Sequence, residues 1–344
     1  MTSWQELLRN QIDLTRDPFS DRGSRLLIYQ HPAQSCLIIK LAERLAGLEP
    51  RADTQQPRPP FIQDLYLINE NGESLEFKTV TYPNVIYFQT VIGKFRLAFQ
   101  ALQTLAFGLH PNTTAGLRFH VSPEFWRIAD AGGEIKAVRN LAFATNGKVI
   151  KNQITPDESG FTVEFIVQAH DDCAITLHLS NTADLSHQVL PFSETDAGAE
   201  VRWDKWFEQA PPVAEPYRRT YAYAWWVMAN NLISPMGFVA FEAMMPSKAS
   251  YLGLWLWDSA MHAIAYRHVD SELARNQIRA MLIHQLSDGM LPDAIFDEDI
   301  VSEIDHPIRA KVTKPPILAW AALKLHKVAS NLEFLREIYA PLVR

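Results

Sequence analysis

A stretch with three prolines, Glu208 to Pro216, separates two halves of this chain whose hydrophobic periodicities differ. Proline blocks helix interiors and removes a ladder donor, so Pro211, Pro212 and Pro216 mark an extended linker. Before it, short segments rich in β-branched and aromatic residues alternate with turn signals. They are Leu27–Gln30, Cys36–Leu41, Leu65–Ile68, Val80–Val91, Leu117–Val121 and Val163–Val167. Phe161 to Phe165 alternates with period two, as a half-buried strand does. After the linker the apolar positions recur at helical spacing.

Asn69-Glu70-Asn71-Gly72 and Thr145-Asn146-Gly147 read as hairpin turns, because Asn-Gly accepts the positive φ of a tight reversal. Many short strands with frequent turns predict a β-sandwich. Trp4, Leu7, Leu8 and Ile12 predict an amphipathic helix within the first fifteen residues, packed on that sandwich. Beyond the linker, helices are predicted over Tyr217–Leu232 and Trp257–His268. A third starts at Asp270 or Ser271, either of which caps it. A fourth spans Ile317–Ala329, with Pro315-Pro316 in its first turn, and a fifth, Leu332–Tyr339, ends at Pro341. At 344 residues the chain exceeds what one core usually holds. The expected division is a β-rich, sandwich-like domain over 1–207, a linker over 208–216 and a helical domain over 217–344.

Charge and composition exclude several classes. A formal charge of −7 opposes a nucleic-acid partner, whose phosphates need a basic face. The longest apolar runs, Tyr221–Ala229 and Ile317–Leu323, fall far short of the ~20 residues that span a bilayer, so no membrane partner is expected. The opening Met1-Thr2-Ser3-Trp4-Gln5-Glu6 lacks the basic and apolar regions of a secretory signal. Two cysteines, Cys36 and Cys173, suit a reduced setting, and a cytoplasmic location follows. Asn112-Thr113-Thr114 is then a glycosylation pattern by chance. His262, His284, His306 and His326 are too scattered for a zinc motif, and no Gly-rich phosphate loop or Gly-x-Ser-x-Gly elbow occurs.

The chemistry-bearing stretch is Tyr251 to His262. Trp255 and Trp257 precede a carboxylate, Asp258, as a helix begins. A hexose offers an apolar ring face and a rim of hydroxyls; an indole stacks on the first and a carboxylate accepts from the second. An isolated Asp there also serves as a helix cap. Ser287 to Asp293 places two carboxylates around a Gly turn, which alone reads as a solvated loop. Lys314 precedes a helix N-terminus, where a cation opposes the macrodipole unless it faces a ligand or a carboxylate.

Three segments in this order, Leu254–Ala263, Ser287–Asp293 and Thr313–Trp320, resemble glycoside hydrolase family 63, in particular its bacterial mannosylglycerate and glucosylglycerate hydrolase branch. Asp17 to Leu26 resembles the opening of proteins with this layout. The resemblance implies an (α/α)6 toroid whose mouth holds the −1 sugar, so the expected fold is an N-terminal β-sandwich followed by an incomplete toroid. It places Trp257 and Asp258 at that subsite, with Asp258 on sugar hydroxyls and Trp255 and Lys314 lining the pocket. It implies a carbohydrate substrate, no cofactor and an inverting reaction on an α-glucoside or α-mannoside. The general acid and base are expected on helices beyond residue 344, so none of these four residues takes those roles. Twelve helices need at least roughly 200 residues, more than Pro216 to Arg344 provides. The expectation is therefore an inactive N-terminal part, which a companion chain supplying the remaining helices would complete. A non-catalytic carbohydrate-binding or regulatory fragment is the second reading. A sugar epimerase with a helical barrel, using histidines as acid and base, is the third.

Overall fold

The computed structural model describes residues 3–44, 60–122, 124–137, 139–157, 160–304 and 308–344. Two large antiparallel sheets dominate the first half. The six-stranded sheet runs β1 (Leu26–Gln30), β2 (Leu37–Leu41), β3 (Ile62–Asn69), β8 (Thr114–Val121), β13 (Gly160–Gln168) and β12 (Lys148–Asp157). The eight-stranded sheet runs β4 (Lys78–Thr81), β5 (Val85–Thr90), β6 (Gly93–Ala101), β7 (Thr104–Gly108), β14 (Ala174–Ser180), β11 (Asn140–Thr145), β10 (Gly132–Lys136) and β9 (Phe125–Ala129). Their facing side chains share one core: Phe143 of the larger sheet meets Phe119 and Phe165 of the smaller, with ring centroids 5.9 and 5.1 Å apart. The arrangement is sandwich-like, as the alternating segments predict.

Three local expectations change. Val80–Val91 is two strands rather than one: β4 and β5 pair antiparallel as a hairpin, with Pro83 in the turn between them, where it needs no ladder donor. The turn at Asn69–Gly72 is a tight reversal with Gly72 at φ 83°, as read. Asn146-Gly147, in contrast, makes no hairpin: it carries the chain from β11 in one sheet to β12 in the other. Asn146 is fixed by its side chain, whose Oδ1 accepts from Ala174 N–H at 2.8 Å. The N-terminal helix α1 is only Trp4–Leu8, yet Trp4 stacks on Phe207 at 4.9 Å and donates to Asp204.

Helix α2 (Phe192–Glu208) lies within the stretch read as β-rich. Its buried face, Phe192, Thr195, Ala199, Trp203 and Trp206, packs on β6 and β7. Small residues make room there: a Cβ at Gly108 would meet the Phe192 ring at 2.5 Å.

The second half contains α3 (Arg218–Asn230), α4 (Leu256–Tyr266), α5 (Ser271–Leu282), α6 (Leu318–His326) and α7 (Leu332–Val343). Asp270 caps α5 through Leu273 N–H at 2.8 Å. Pro315-Pro316 stand just ahead of α6 instead of inside its first turn. Helix α7 passes through Pro341, whose carbonyl accepts from Gln285 Nε2. The last turn tolerates this, since the missing donor costs a single terminal bond. Among the described residues no helix is long and apolar enough to cross a membrane.

The segment Asp17–Arg25 stitches the halves together. Arg22 pairs with Glu242 and Arg25 with Asp297, while Gly23 exchanges backbone bonds with Leu232 and Ser234; Asp21 pairs within the first half, with Arg202 of α2. Lys248, fully buried, points its ammonium at Ser20 Oγ and the Asp21 carbonyl.

Candidate functional site

Helix α4 opens from a short three-stranded sheet, and that sheet assembles the predicted residues. Strand β17 (Leu254–Trp255) pairs with β18 (Ala294–Ile295), which pairs with β19 (Ile300–Val301). Trp255 has extended backbone, φ −99° and ψ 139°, and serves as the N-cap of α4 without a side-chain cap bond. The polypeptide thus turns from strand to helix between Trp255 and Trp257. One indole faces back over the sheet and the other faces solvent.

Trp255 is held on several sides. Its Nε1 donates to the Leu252 carbonyl at 2.8 Å, and its ring stacks on Tyr251 at 4.5 Å and 11°. The edge of Phe296 approaches it at 6.5 Å, and Lys314 Nζ sits 5.6 Å from its centroid. Trp257 is 46% exposed, so it belongs to a surface rather than to a closed core.

Asp258 is half-buried in the first turn of α4, and its Oδ2 is buried with no hydrogen-bond partner. Burial pushes its carboxyl above the usual aspartate range, with the Asp293 charge adding to that rise. Its own backbone N–H, the Lys314 charge and the Trp257 indole act the other way. Asp258 does not act as a side-chain N-cap: Trp255 holds that position, and no side chain caps α4.

Lys314 answers the question its position posed: it faces a carboxylate, not the helix. Its Nζ lies 2.8 Å from Asp293 Oδ1, with Asp293 almost fully buried. Asp293 is fixed by its backbone, donating to the Val301 carbonyl at 2.7 Å and accepting from Leu256 N–H at 3.1 Å. The two carboxylates of the Gly turn therefore separate. Asp288 is exposed and pairs with Lys311, whereas Asp293 enters the site. Gly289, at φ +90°, makes the turn between them possible. Sequence reasoning gave Asp293 no role of its own; its one signal was the succession of a Gly turn, a proline and an acid.

Three histidines take ordinary places. Burial holds the His262 ring neutral, its pKa lowered to about 4. His284 Nε2 sits 2.7 Å from the Phe238 carbonyl, and His326 occupies the last turn of α6. His306 lies outside the described residues.

A half-buried acceptor without a donor, an exposed indole beside it and a lysine–aspartate pair across from it form an arrangement suited to a polyhydroxylated ring. Over residues 251–344 the chain is similar to glycoside hydrolases. More narrowly, these residues match the family model of the mannosylglycerate hydrolase MGH1-like glycoside hydrolase domain. The solved structure of a family GH92 α-mannosidase from Bacteroides thetaiotaomicron aligns with TM-score 0.55 at 11% identity, covering 86% of this chain and 51% of that one. The same enzyme in complex with mannoimidazole gives 0.54 at 12% identity, covering 84% and 49%. A family GH92 inverting mannosidase from Bacteroides thetaiotaomicron VPI-5482 gives 0.52 at 11% identity, covering 90% and 51%. The chain spans about half the length of these structures. At such identities the likeness is one of fold.

Proposed function

We propose that this chain is the sandwich and leading helices of an α-glycosidase of inverting type, and that Trp257 and Asp258 cradle the −1 sugar. The observation that carries this reading is the buried Asp258 Oδ2 with no protein donor, beside an exposed indole. A sugar hydroxyl supplies the missing donor, and the Trp257 face covers the apolar side of the ring. Trp255 and Lys314 line the same pocket, Lys314 held in place by Asp293.

An α-mannoside is the first substrate class, because the matched family model and the GH92 structures carry mannose-directed names, although a structure named as a putative kojibiose phosphorylase aligns with a comparable TM-score of 0.54. Inversion needs one carboxylic acid to protonate the glycosidic oxygen and a second carboxylate to activate water, ~6.5–9.5 Å apart. Asp293 is committed to Lys314 and Asp258 to hydroxyl binding. Neither is assigned to that pair, which this reading places on further barrel helices beyond residue 344.

An (α/α)6 toroid accounts for a further observation. Met261 on α4, Trp320 and Leu323 on α6, and Leu332, Tyr339 and Val343 on α7 are all exposed. Soluble proteins seldom leave apolar stripes uncovered on neighbouring helices. Additional barrel helices, on the same or a companion chain, would cover them. A cytoplasmic setting remains part of this reading.

Titration calorimetry with methyl α-mannoside and methyl α-glucoside tests it. The chain is expected to bind the mannoside, and Asp258→Asn to weaken binding by about tenfold or more, the worth of a charge-assisted hydrogen bond. Equal affinity in Asp258→Asn overturns the assignment of Asp258. Binding without hydrolysis of an aryl α-mannoside is the expected behaviour of this chain on its own, which also describes a carbohydrate-binding fragment.

A further inference from the structure

The sandwich half does more than adjoin the sugar pocket. We infer that Arg25 and Arg44 are positioning residues, which set the pocket wall by clamping the tip of the β18–β19 hairpin. This rests on the pocket reading above. Arg25 stands just before β1 and is almost fully buried. Its Nε and Nη2 both lie 2.6 Å from the Asp297 carboxylate, and Nη2 also donates to the Ser234 carbonyl at 2.9 Å. Arg44, which follows β2, pairs with Asp299 at 3.0 Å and lays its guanidinium over the Phe296 ring at 4.7 Å.

Asp297 and Asp299 belong to the turn between β18 and β19, which Phe296 N–H closes onto the Asp299 carbonyl. Two arginines from the β-rich half thus grip one four-residue tip from opposite ends. What they grip is joined directly to the site. Phe296 meets the edge of Trp255, β18 pairs with the strand carrying Trp255, and the residue before β18 is Asp293, which holds Lys314. A shift of the tip therefore moves the Trp255 wall and the lysine–aspartate pair together. The bidentate geometry fixes orientation as well as distance, which a lysine in place of Arg25 would not.

The test uses the full chain labelled with 5-fluorotryptophan, the Trp255 fluorine resonance being assigned by its loss in Trp255→Phe. Arg25→Gln and Arg44→Gln are expected to displace that resonance and to weaken methyl α-mannoside binding about fivefold, a typical size for coupling through a packed network. Arg22→Gln is the control. It removes a comparable bidentate pair to Glu242 from the same segment without touching the hairpin, and leaves both readouts as in the unsubstituted chain. If Arg25→Gln does not fold, Arg44→Gln and Asp299→Asn decide by the same two measurements, since Asp299 is substantially exposed. An unmoved Trp255 resonance in the hairpin variants, or equal displacement in Arg22→Gln, overturns the inference. A chain that binds no methyl α-mannoside sinks the pocket reading instead, while the fluorine resonance still settles whether the arginines position Trp255.

Discussion

The sandwich closes most of its apolar surface, leaving Phe125, Trp126 and Ile128 of β9 exposed; the helical half leaves apolar side chains open on several neighbouring helices. Phe119, Phe143 and Phe165, drawn from both sheets, are at most 1% exposed. Part of the outer face of the larger sheet, around β6 and β7, is covered by α2. In the helices the buried side of each is equally dry: Ala260, Ala263 and Tyr266 on α4 and Ala321 on α6 have no accessible surface. Their other sides carry tryptophan, methionine and leucine into water. The first half is organised around the core between its sheets, which continues into the helices, and the second leaves a surface open, with the proposed sugar-binding residues at the border.

The largest expected effect lies in the closed half. Phe143→Ala removes the ring that joins the sheets and is expected to cost about 3–5 kcal/mol, measured by urea unfolding. A loss under about 1 kcal/mol would mean that the sheets are not packed as described, and the contrast between the halves would collapse.

The two halves also differed in how far the sequence disclosed them. Strands with clear β-branched runs were legible, and so were α4 and α5, whose apolar spacing and Asp270 cap are local signals. Helix α2 was not, although Phe192, Thr195, Ala199, Trp203 and Trp206 stand at helical spacing. Its polar face and Gly198 diluted the pattern, and the small residues that receive it lie on strands distant in sequence. Asn146-Gly147 shows the same limit. A local turn signal carries no information about which sheet the next strand joins, because pairing is decided by the core. At the site, Trp255, Trp257 and Asp258 could be singled out because they are neighbours in the chain. Asp293, just before β18, and Lys314, ahead of α6, meet only in the folded chain, and Arg25 reaches the same hairpin from a segment far away in sequence.

A pH series sharpens the border between the halves. Burial raises the Asp258 carboxyl above the ordinary range, so the folded chain holds that proton more tightly than the unfolded one. The contribution of Asp258 to folding stability therefore rises as pH falls below its folded value and is least where the group is charged. Sugar binding needs the charged acceptor and runs the other way. Methyl α-mannoside affinity is expected to fall on acidification, starting at a higher pH than an ordinary aspartate would dictate. Asp258→Asn is expected to flatten that acid limb. An unchanged limb in Asp258→Asn would assign the titration to a different group.

The smallest expected effect probes the open half directly. Met261 and Leu323 are 51% and 50% exposed on α4 and α6, two helices that pack against each other. Replacing both by serine removes apolar surface that already faces water, so little burial is lost. Serine's lower helix propensity costs a few tenths of a kcal/mol per site. Stability should therefore stay within about 1 kcal/mol of the unsubstituted chain, while self-association in sedimentation velocity declines. A loss of several kcal/mol would show these side chains to be packed in solution, and the helical half would then own a closed core after all. Under the proposed barrel, a helical partner that covers this face should discriminate the two proteins sharply, because the same two side chains that contribute almost nothing to this chain alone would lie in the interface. That combination, near-silence in folding and a large effect on assembly, is what separates an unpartnered face from ordinary scattered surface hydrophobics, which are silent in both.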